Sequence, residues 1–334
     1  MTSAAAFWRR HWFLVGLGGV AVAAVAAPAG GVALRQAGFV LPAMTAASLF
    51  LSGVSLETAG LREGADKRGW LLGVSSTYLV APALAVAFVR LWGPENGGAG
   101  SEGYLFFEAM MIVAAQAGTI ASAPALTLVA GGNQGLALLI TLSTNLMTAF
   151  VTPLLLRITI GTVVSFPVGR MMLEDAAVVL LPVLAAQVVH RLFWPRLHRF
   201  RPAIVHLSQA IILVFVYTGI SAAAAHLSQR PGLIFAFVAT AASLHVALLL
   251  WNHRAASWLG LSPANRTAVV FCGSQKTLPN GIYLWDTFFP ANPHGALALV
   301  CYHVFQLVLD SLLVPWLAPR PVAAQETEEI VDGA

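Results

Sequence analysis

Long apolar stretches separated by short polar segments run along nearly the whole chain. Each stretch has about 20 residues, the length that a helix needs to cross roughly 30 Å of hydrocarbon. We see no alternation of apolar and polar residues of the kind that a transmembrane barrel requires. The pattern predicts an all-α polytopic membrane protein with ten transmembrane helices, at residues 12–33, 38–56, 70–92, 104–129, 134–159, 171–194, 203–225, 232–252, 266–288 and 294–317.

Polar residues with prolines or glycines interrupt two of these predicted spans. Span four contains the segment from Gln116 to Pro124, and span nine contains the segment from Phe271 to Gly281, which includes Lys276. Lipid cannot satisfy the backbone groups that such a break exposes. An ammonium at mid-membrane depth costs roughly 3 kcal/mol on insertion scales. The two breaks are therefore predicted to face each other across a polar binding site.

Weak internal similarity relates the two halves of the chain. The break in span four matches the break in span nine, Phe50–Ser55 in span two matches Phe215–Ser221 in span seven, and Phe150–Leu154 in span five matches Leu313–Leu317 in span ten. The repeat unit therefore has five spans. Because five is odd, the second copy must enter the membrane from the opposite side, which predicts two inverted five-helix repeats with crossing broken helices.

This repeat divides the chain into residues 1–165 for spans one to five, residues 166–320 for spans six to ten, and an acidic cytoplasmic tail at residues 321–334. Basic residues occur in short loops between spans, twelve on the side of the termini and five on the other, which predicts that both termini are cytoplasmic. The longest basic segment, Arg191 to Arg201, joins spans six and seven as a hinge-like connection or a loop near anionic headgroups.

Composition restricts the class of function. The chain is 58% hydrophobic and 10% charged, so the lipid bilayer is its main partner, and the scattered loop arginines do not suggest nucleic acid. Sixteen arginines against two lysines suggest a GC-rich bacterial source and hence an inner-membrane location. We find no nucleophile elbow, metal-ligand spacing or phosphate loop, so we expect neither an enzyme nor a cofactor or metal.

The order of short motifs resembles that of a known family. These motifs are Trp12–Gly16, Gly53–Thr58, Gly131–Asn133, Thr152–Leu156 and Phe271–Leu278. The chain resembles the bile acid:sodium symporter family, in a divergent branch of symporter-like membrane proteins. The resemblance implies a core of spans three to five and eight to ten, a panel of spans one, two, six and seven, and alternating access by movement of the core against the panel.

The chain departs from this family at two sodium ligands. Sodium-coupled members have an acidic residue four positions before the glutamine that matches Gln275, where this chain has Phe271. They also have an asparagine after the serine on the first broken helix, where this chain has Ala123 or Pro124. Sodium coupling is therefore disfavoured, since sodium prefers oxygen ligands and the neighbouring ammonium of Lys276 repels it.

Lys276 allows several interpretations. It could replace the coupling ion as a tethered charge, carry a proton, bind an anionic substrate, or act only as a structural lysine bonded to a carboxylate or to carbonyls at the break. Asp310 is the preferred carboxylate partner, because it belongs to the same half and lies within an apolar span; the other candidate partners are Glu108 and Glu174 or Asp175. Glu174 and Asp175 are interpreted as marking the boundary of span six, and His245 and His303 are weaker candidates for a proton relay.

The candidate binding residues are polar side chains at the two breaks and on the spans beside them. They are Gln116, Thr119, Ser122, Asn145, Ser274, Gln275, Lys276, Thr277, Asn280 and Asp310.

Two functional hypotheses remain open at this point. The first is a secondary transporter of a small organic anion or amphipathic solute, working by alternating access, either proton-linked or with Lys276 replacing the coupling cation. The second is a membrane regulator or receptor on the same fold that does not transport, for example one that affects ion or calcium handling. The sequence does not determine the solute, the direction of transport or the oligomeric state.

Overall fold

A computed structural model describes residues 3–56, 61, 64–95, 97–98, 100–161, 167–227 and 230–317. Within these ranges the chain is helical and contains no strand. The predicted acidic tail and the Glu57-Thr58 end of one family motif lie outside the described residues. The helices are α1 Ser3–Ala26, α2 Pro28–Gln36, α3 Val40–Val54, α4 Lys67–Ser75, α5 Ala81–Trp92, α6 Glu102–Ala114, α7 Ser122–Val129, α8 Gln134–Thr159, α9 Val168–Asp175, α10 Leu181–Leu197, α11 Arg201–Leu227, α12 Pro231–Trp258, α13 Pro263–Ser274, α14 Leu278–Phe288 and α15 Gly295–Leu317.

Five helical segments in the described part of the chain are long and apolar enough to cross a membrane. They are Lys67–Trp92, Gln134–Thr159, Val168–Ala224, Pro231–Trp258 and Gly295–Leu317. A bent pair, Val15–Ala26 with Pro28–Gln36, would be a sixth. The chain is therefore an integral membrane protein.

The first predicted span is bent instead of straight. The two helical pieces on either side of Ala27 meet at 90°. Pro28 occupies the first turn of α2, where it has no N–H to continue the preceding helix and disfavours a helical conformation at the residue before it. The carbonyl of Ala27 accepts a hydrogen bond from the hydroxyl of Tyr217 on α11 at 2.7 Å. The bend is thus stabilised by a neighbouring helix.

The segment Val168–Ala224 turns back on itself between α10 and α11. A short 3₁₀ turn, His198–Phe200, joins α10 to α11. His190 on α10 lies 2.8 Å from the carbonyl oxygen of Val54, and Ser208 on α11 bonds to Ser52 at 3.0 Å. Eighteen residues of straight helix would separate His190 from Ser208 by about 27 Å, yet both contact the same end of α3. The basic connection is therefore a tight helical turn and not an extended loop.

Both predicted breaks are present as gaps between helices. Residues 115–121 separate α6 from α7, and residues 275–277 separate α13 from α14, which begins with Leu278 and Pro279. Proline at the first turn is compatible with a new helix but not with continuation of the previous one. These gaps position the candidate site.

The described helices pack in two groups. Helices α1, α2, α3, α10 and α11 pack on one another, and α4 to α8 pack with α12, α13 and α15. Helix α14 contacts α15 on one side and α3 on the other. The largest apolar cluster joins both groups and includes Phe106, Met110, Phe237 and Trp285, all with less than 2% of the residue exposed.

Candidate binding site at the helix breaks

Four consecutive carbonyl groups are freed by the first break, and each accepts a hydrogen bond from another part of the chain. The acceptors and donors are Ala115 O from Thr152 Oγ1 at 2.6 Å, Gln116 O from Lys276 Nζ at 3.0 Å, Ala117 O from Thr277 N at 2.9 Å, and Gly118 O from Asn145 Nδ2 at 2.8 Å. Two of these donors belong to the second break. The two breaks therefore lie directly against each other and satisfy each other's backbone, as a lipid environment demands.

The ammonium of Lys276 is enclosed by carbonyl groups. Only 2% of the residue is exposed, and Nζ donates to Thr77 O at 2.7 Å and to Gln116 O at 3.0 Å. Thr77 lies in the π-helical segment Ser76–Val80 between α4 and α5, a type of irregularity that often occurs at functional sites. The predicted pairing of Lys276 with Asp310 is wrong. The carbonyl groups exposed by irregular backbone take the place of that carboxylate.

Gln275 connects the first break to Asp310. Its Oε1 accepts hydrogen bonds from the hydroxyl of Ser122 at 2.7 Å and from that of Thr119. Its Nε2 donates to Asp310 Oδ2 at 2.6 Å, and Asp310 Oδ1 lies 2.9 Å from His245 Nε2. All of these side chains except Ser122 are buried. The structure thus brings Thr119, Ser122, Gln275 and Asp310 into one polar network.

His245 and Asp310 form a buried pair joined by a short hydrogen bond. Tyr302 donates its hydroxyl proton to Ser274 O at 2.7 Å, so its oxygen can only accept from His245 Nδ1, which is 3.3 Å away. Assigned from this network, Nδ1 carries a hydrogen. The short contact between Nε2 and Asp310 needs one more proton, on either the imidazole or the carboxyl group. The pair is therefore neutral overall in either arrangement.

The remaining candidates divide into two types. Asn280 on α14 donates to Gln116 Oε1 at 3.0 Å, and Asn145 on α8 donates to Gly118 O, so both amides join the breaks. Ser274 instead donates to Val270 O, one turn back on its own helix, at 2.7 Å. This is ordinary back-bonding of a helical serine and leaves its hydroxyl outside the network.

At the two expected sodium-ligand positions, this chain has apolar residues, and their surroundings are apolar too. Phe271 and Ala123 both belong to a buried apolar cluster with Cys272 and Ala268. Neither position places an oxygen atom at the crossing.

A cavity of about 570 Å³ lies beside the breaks, between them and helices α3 and α11. The breaks contribute Thr119, Ser122, Thr277 and Pro279 to its wall; α3 contributes Ser48, Ser52 and Leu49; and α11 contributes Arg201 and Ser208. Sequence reasoning missed the residues of α3 and α11. The spacing of Ser48, Ser52 and Ser55 puts three hydroxyls on one face of an apolar helix, a signal that could have found them.

His303 on α15 has one side-chain nitrogen without a hydrogen-bond partner in the described part of the chain. Gln306 Nε2 lies 2.9 Å from His303 Nδ1 and must donate to it, so the neutral ring carries its hydrogen on Nε2. That Nε2 is buried and has no hydrogen-bond partner in the described part of the chain, and His303 lines the cavity.

Comparison with known proteins agrees with the site's resemblance to transporters. The model of the SBF-like CPA transporter family matches residues 11–319. The mouse protein named sodium/bile acid cotransporter 7 is 26% identical over 341 residues, which cover 97% of this chain and 98% of the mouse chain. Sodium/bile acid cotransporter 7-B of Xenopus laevis is 27% identical and covers 96% of both chains. The chain is therefore a membrane transporter and not an enzyme, and it belongs to the SBF-like CPA transporter family.

Proposed function

We propose that this chain is a secondary transporter that moves a small organic anion or amphipathic solute through the membrane by alternating access. The observation that carries the proposal is the cavity of about 570 Å³ whose wall is formed by both helix breaks on one side and by α3 and α11 on the other. A site between two groups of helices can be exposed to either face of the membrane when one group moves against the other.

We infer ten membrane crossings arranged as two inverted five-helix repeats. Five helical segments are long enough alone, and the bent pair α1 and α2 adds one. Because Val168–Ala224 folds back on itself, it counts twice. The apolar helix α3 and the two broken pairs, α6 with α7 and α13 with α14, supply the other three. The positions of the two breaks, each in the fourth crossing of its half, support the inverted arrangement.

The chemistry of the cavity favours an amphipathic anion. Leu49, Ile120 and Leu138 give its wall an apolar surface, while the positive charge of Arg201 on the same wall favours an acid group. The relatives are named after bile acids, which are amphipathic anions of this kind. A bile acid is therefore the first solute to test.

We propose that Lys276 replaces a coupling sodium ion. Its Nζ bonds to two carbonyl oxygens at the crossing. A bound cation would use oxygen ligands of this kind. An ammonium held there repels a second cation, and no acidic side chain is present at position 271 to balance one. Transport is then expected to be independent of a sodium gradient.

The described conformation corresponds to an inward-facing state if both termini are cytoplasmic, as the arginine distribution predicts for a bacterial inner membrane. The cavity lies toward the loop side that holds Gln134 and Arg201. On the opposite side, Arg35 of α2 pairs with Asp286 of α14, and Tyr283 of α14 donates to Glu174 of α9 at 3.2 Å. These contacts close the outer side.

Flux measurements test the proposal. Purified protein in liposomes should take up a radiolabelled bile acid, and Lys276→Ala should abolish uptake, because two buried carbonyls lose their donor and the crossing loses its positive charge. Lys67→Ala is the matched control, since Lys67 is the other lysine of the chain and is exposed. Uptake that needs sodium, or that Lys276→Ala leaves unchanged, would contradict this mechanism. The alternative of a regulator that does not transport predicts no uptake of any solute tested.

A further inference from the structure

We propose that Asp175 is a proton-binding site, separate from Lys276 and from the pair of His245 and Asp310. Asp175 is the last residue of α9, directly before the π-helical segment Ala176–Leu180. It is fully buried, and neither of its carboxylate oxygens has a hydrogen-bond partner in the part of the chain that the structure describes. The sequence had suggested a boundary residue, but α9 begins at Val168 and Asp175 faces the interior.

Asn280 is a polar side chain beside Asp175. Asn280 Nδ2 donates to Gln116 Oε1 at 3.0 Å, and Gln116 Nε2 donates in turn to Ile112 O at 3.0 Å. These bonds fix the orientation of both amides. The Asn280 amide lies near Asp175, its Nδ2 already donates to Gln116, and its Oδ1 has no donor in the described part of the chain.

One proton resolves this arrangement. A buried carboxylate without a hydrogen-bond partner is costly. A hydrogen on Asp175 removes this buried charge and turns the carboxyl group into a hydrogen-bond donor. A metal cation fits less well, because hard cations take six or more oxygen ligands and the two side chains supply three unpartnered oxygens.

The charged and titratable groups around Asp175 offer no compensating positive charge. Tyr78 and Tyr283 are the neighbouring titratable groups. Tyr78 donates its hydroxyl to Thr144 O and Tyr283 donates to Glu174, so neither hydroxyl is available. Within the described residues, Asp175 takes part in no ion pair. The ammonium of Lys276 is directed at the carbonyls of Thr77 and Gln116.

Gln116 links this site to the crossing. Its side chain bonds to Asn280, and its carbonyl accepts from Lys276. Loss of the proton from Asp175 would attract the Asn280 amide away from Gln116 and disturb the residue that holds the ammonium. The inference thus deepens the proposed transport function, on which this coupling role rests, by naming a proton as the coupling ion and Asp175 as its carrier.

Infrared spectroscopy of the purified full-length protein tests proton binding without any transport. Wild type at neutral pH should show the C=O band of a protonated carboxyl group that titrates away at alkaline pH. Asp175→Asn should lack this band and, as a neutral mimic of similar shape, should fold. Glu95→Gln is the matched control and should keep the band, because Glu95 is exposed in the loop after α5. Asp175→Ser should also lack the carboxyl band, which gives a second, independent measurement.

Two results would overturn the inference. One is an identical carboxyl band in wild type and Asp175→Asn at every pH. The other is a rise in melting temperature of wild type with sodium or potassium that Asp175→Asn abolishes, which would assign the site to a metal cation. In liposomes, bile acid uptake should depend on pH in wild type and Glu95→Gln but not in Asp175→Asn. Absence of uptake with the infrared band intact would refute the transport proposal alone.

Discussion

The ion pair between Arg35 and Asp286 is expected to hold the transporter in the described conformation. Arg35 Nε lies 2.5 Å from Asp286 Oδ1, and the guanidinium carbon lies 4.3 Å from the ring centre of Trp285. The two charged side chains are 27% and 18% exposed, so water screens them only in part. If α2 moves against α14 during transport, this contact must break, and Arg35→Ala should favour the other conformation.

The size of the effect follows from the two contacts. An exposed ion pair contributes about 0.2–1 kcal/mol, and a charge-assisted hydrogen bond that is partly shielded contributes about 1.5–3 kcal/mol. A cation–π contact at a partly exposed site adds about 0.5–1 kcal/mol. We therefore expect Arg35→Ala to change the conformational equilibrium by about 1–3 kcal/mol, which corresponds to a factor of about 5–150.

Thiol labelling can measure this change. In a background with Cys272 and Cys301 replaced by alanine, Ser55→Cys places a single thiol at the wall of the cavity. Its labelling by a membrane-impermeant maleimide should slow when Arg35→Ala is added, because the cavity closes as the population shifts.

The control is Arg170→Ala, which removes an ion pair within one helix, between Arg170 and Glu174. This variant should leave the labelling rate nearly unchanged. Exchanging the two charges, with Arg35→Asp and Asp286→Arg together, should re-form the ion pair. The labelling rate of Ser55→Cys should then return to the value measured with Arg35 and Asp286 in place. Equal labelling of Arg35→Ala and Arg170→Ala would refute the assignment of Arg35 to an outer gate.

Three further substitutions test the packing of the breaks. Tyr302→Phe should destabilise the protein by about 1–3 kcal/mol in thermal unfolding, because the buried carbonyl of Ser274 loses its donor. Gly118→Val should abolish uptake while the protein still folds, since a Cβ at this position would lie 3.0 Å from Cys272 O and push the breaks apart; unchanged uptake would show that this close approach is dispensable. Gly131→Ala should lower stability by about 1 kcal/mol, because Gly131 has a φ of 66° in the turn before α8; an unchanged melting temperature would show that the turn tolerates a side chain.

The two breaks illustrate what local sequence can reveal. Polar residues with a proline inside an apolar stretch have few structural solutions in lipid, so Gln116 to Pro124 and Phe271 to Gly281 could be recognised as interruptions that must be satisfied by protein. Most of the predicted site residues accordingly meet at one place. Ser274 was predicted to be one of them because the sequence does not show whether a serine bonds to its own helix or to another.

The errors concern partners that are distant in the chain. Lys276 was assigned to Asp310 because both are charged and belong to the same half, whereas the structure gives it carbonyls of Thr77 and Gln116. Carbonyl groups carry no signature in the sequence, and which ones are free depends on a π-helical segment 199 residues away from the lysine. Asp175 was similarly interpreted from its position near a predicted span end.

The sequence by itself determined that the chain is a helical membrane protein, where its helices break and which family it resembles. The bilayer sets the length and hydropathy of each span and requires every backbone polar group to be hydrogen-bonded, and these requirements can be read from neighbouring residues. The tertiary structure decided which groups face each other. It places two carbonyl groups at Lys276, joins His245 to Asp310 by a hydrogen bond, and forms the cavity against α3 and α11. It also leaves the carboxylate of Asp175 without a partner among the described residues. These depend on contacts between helices far apart in the chain, and the packing that creates them leaves no periodic pattern in the residues themselves.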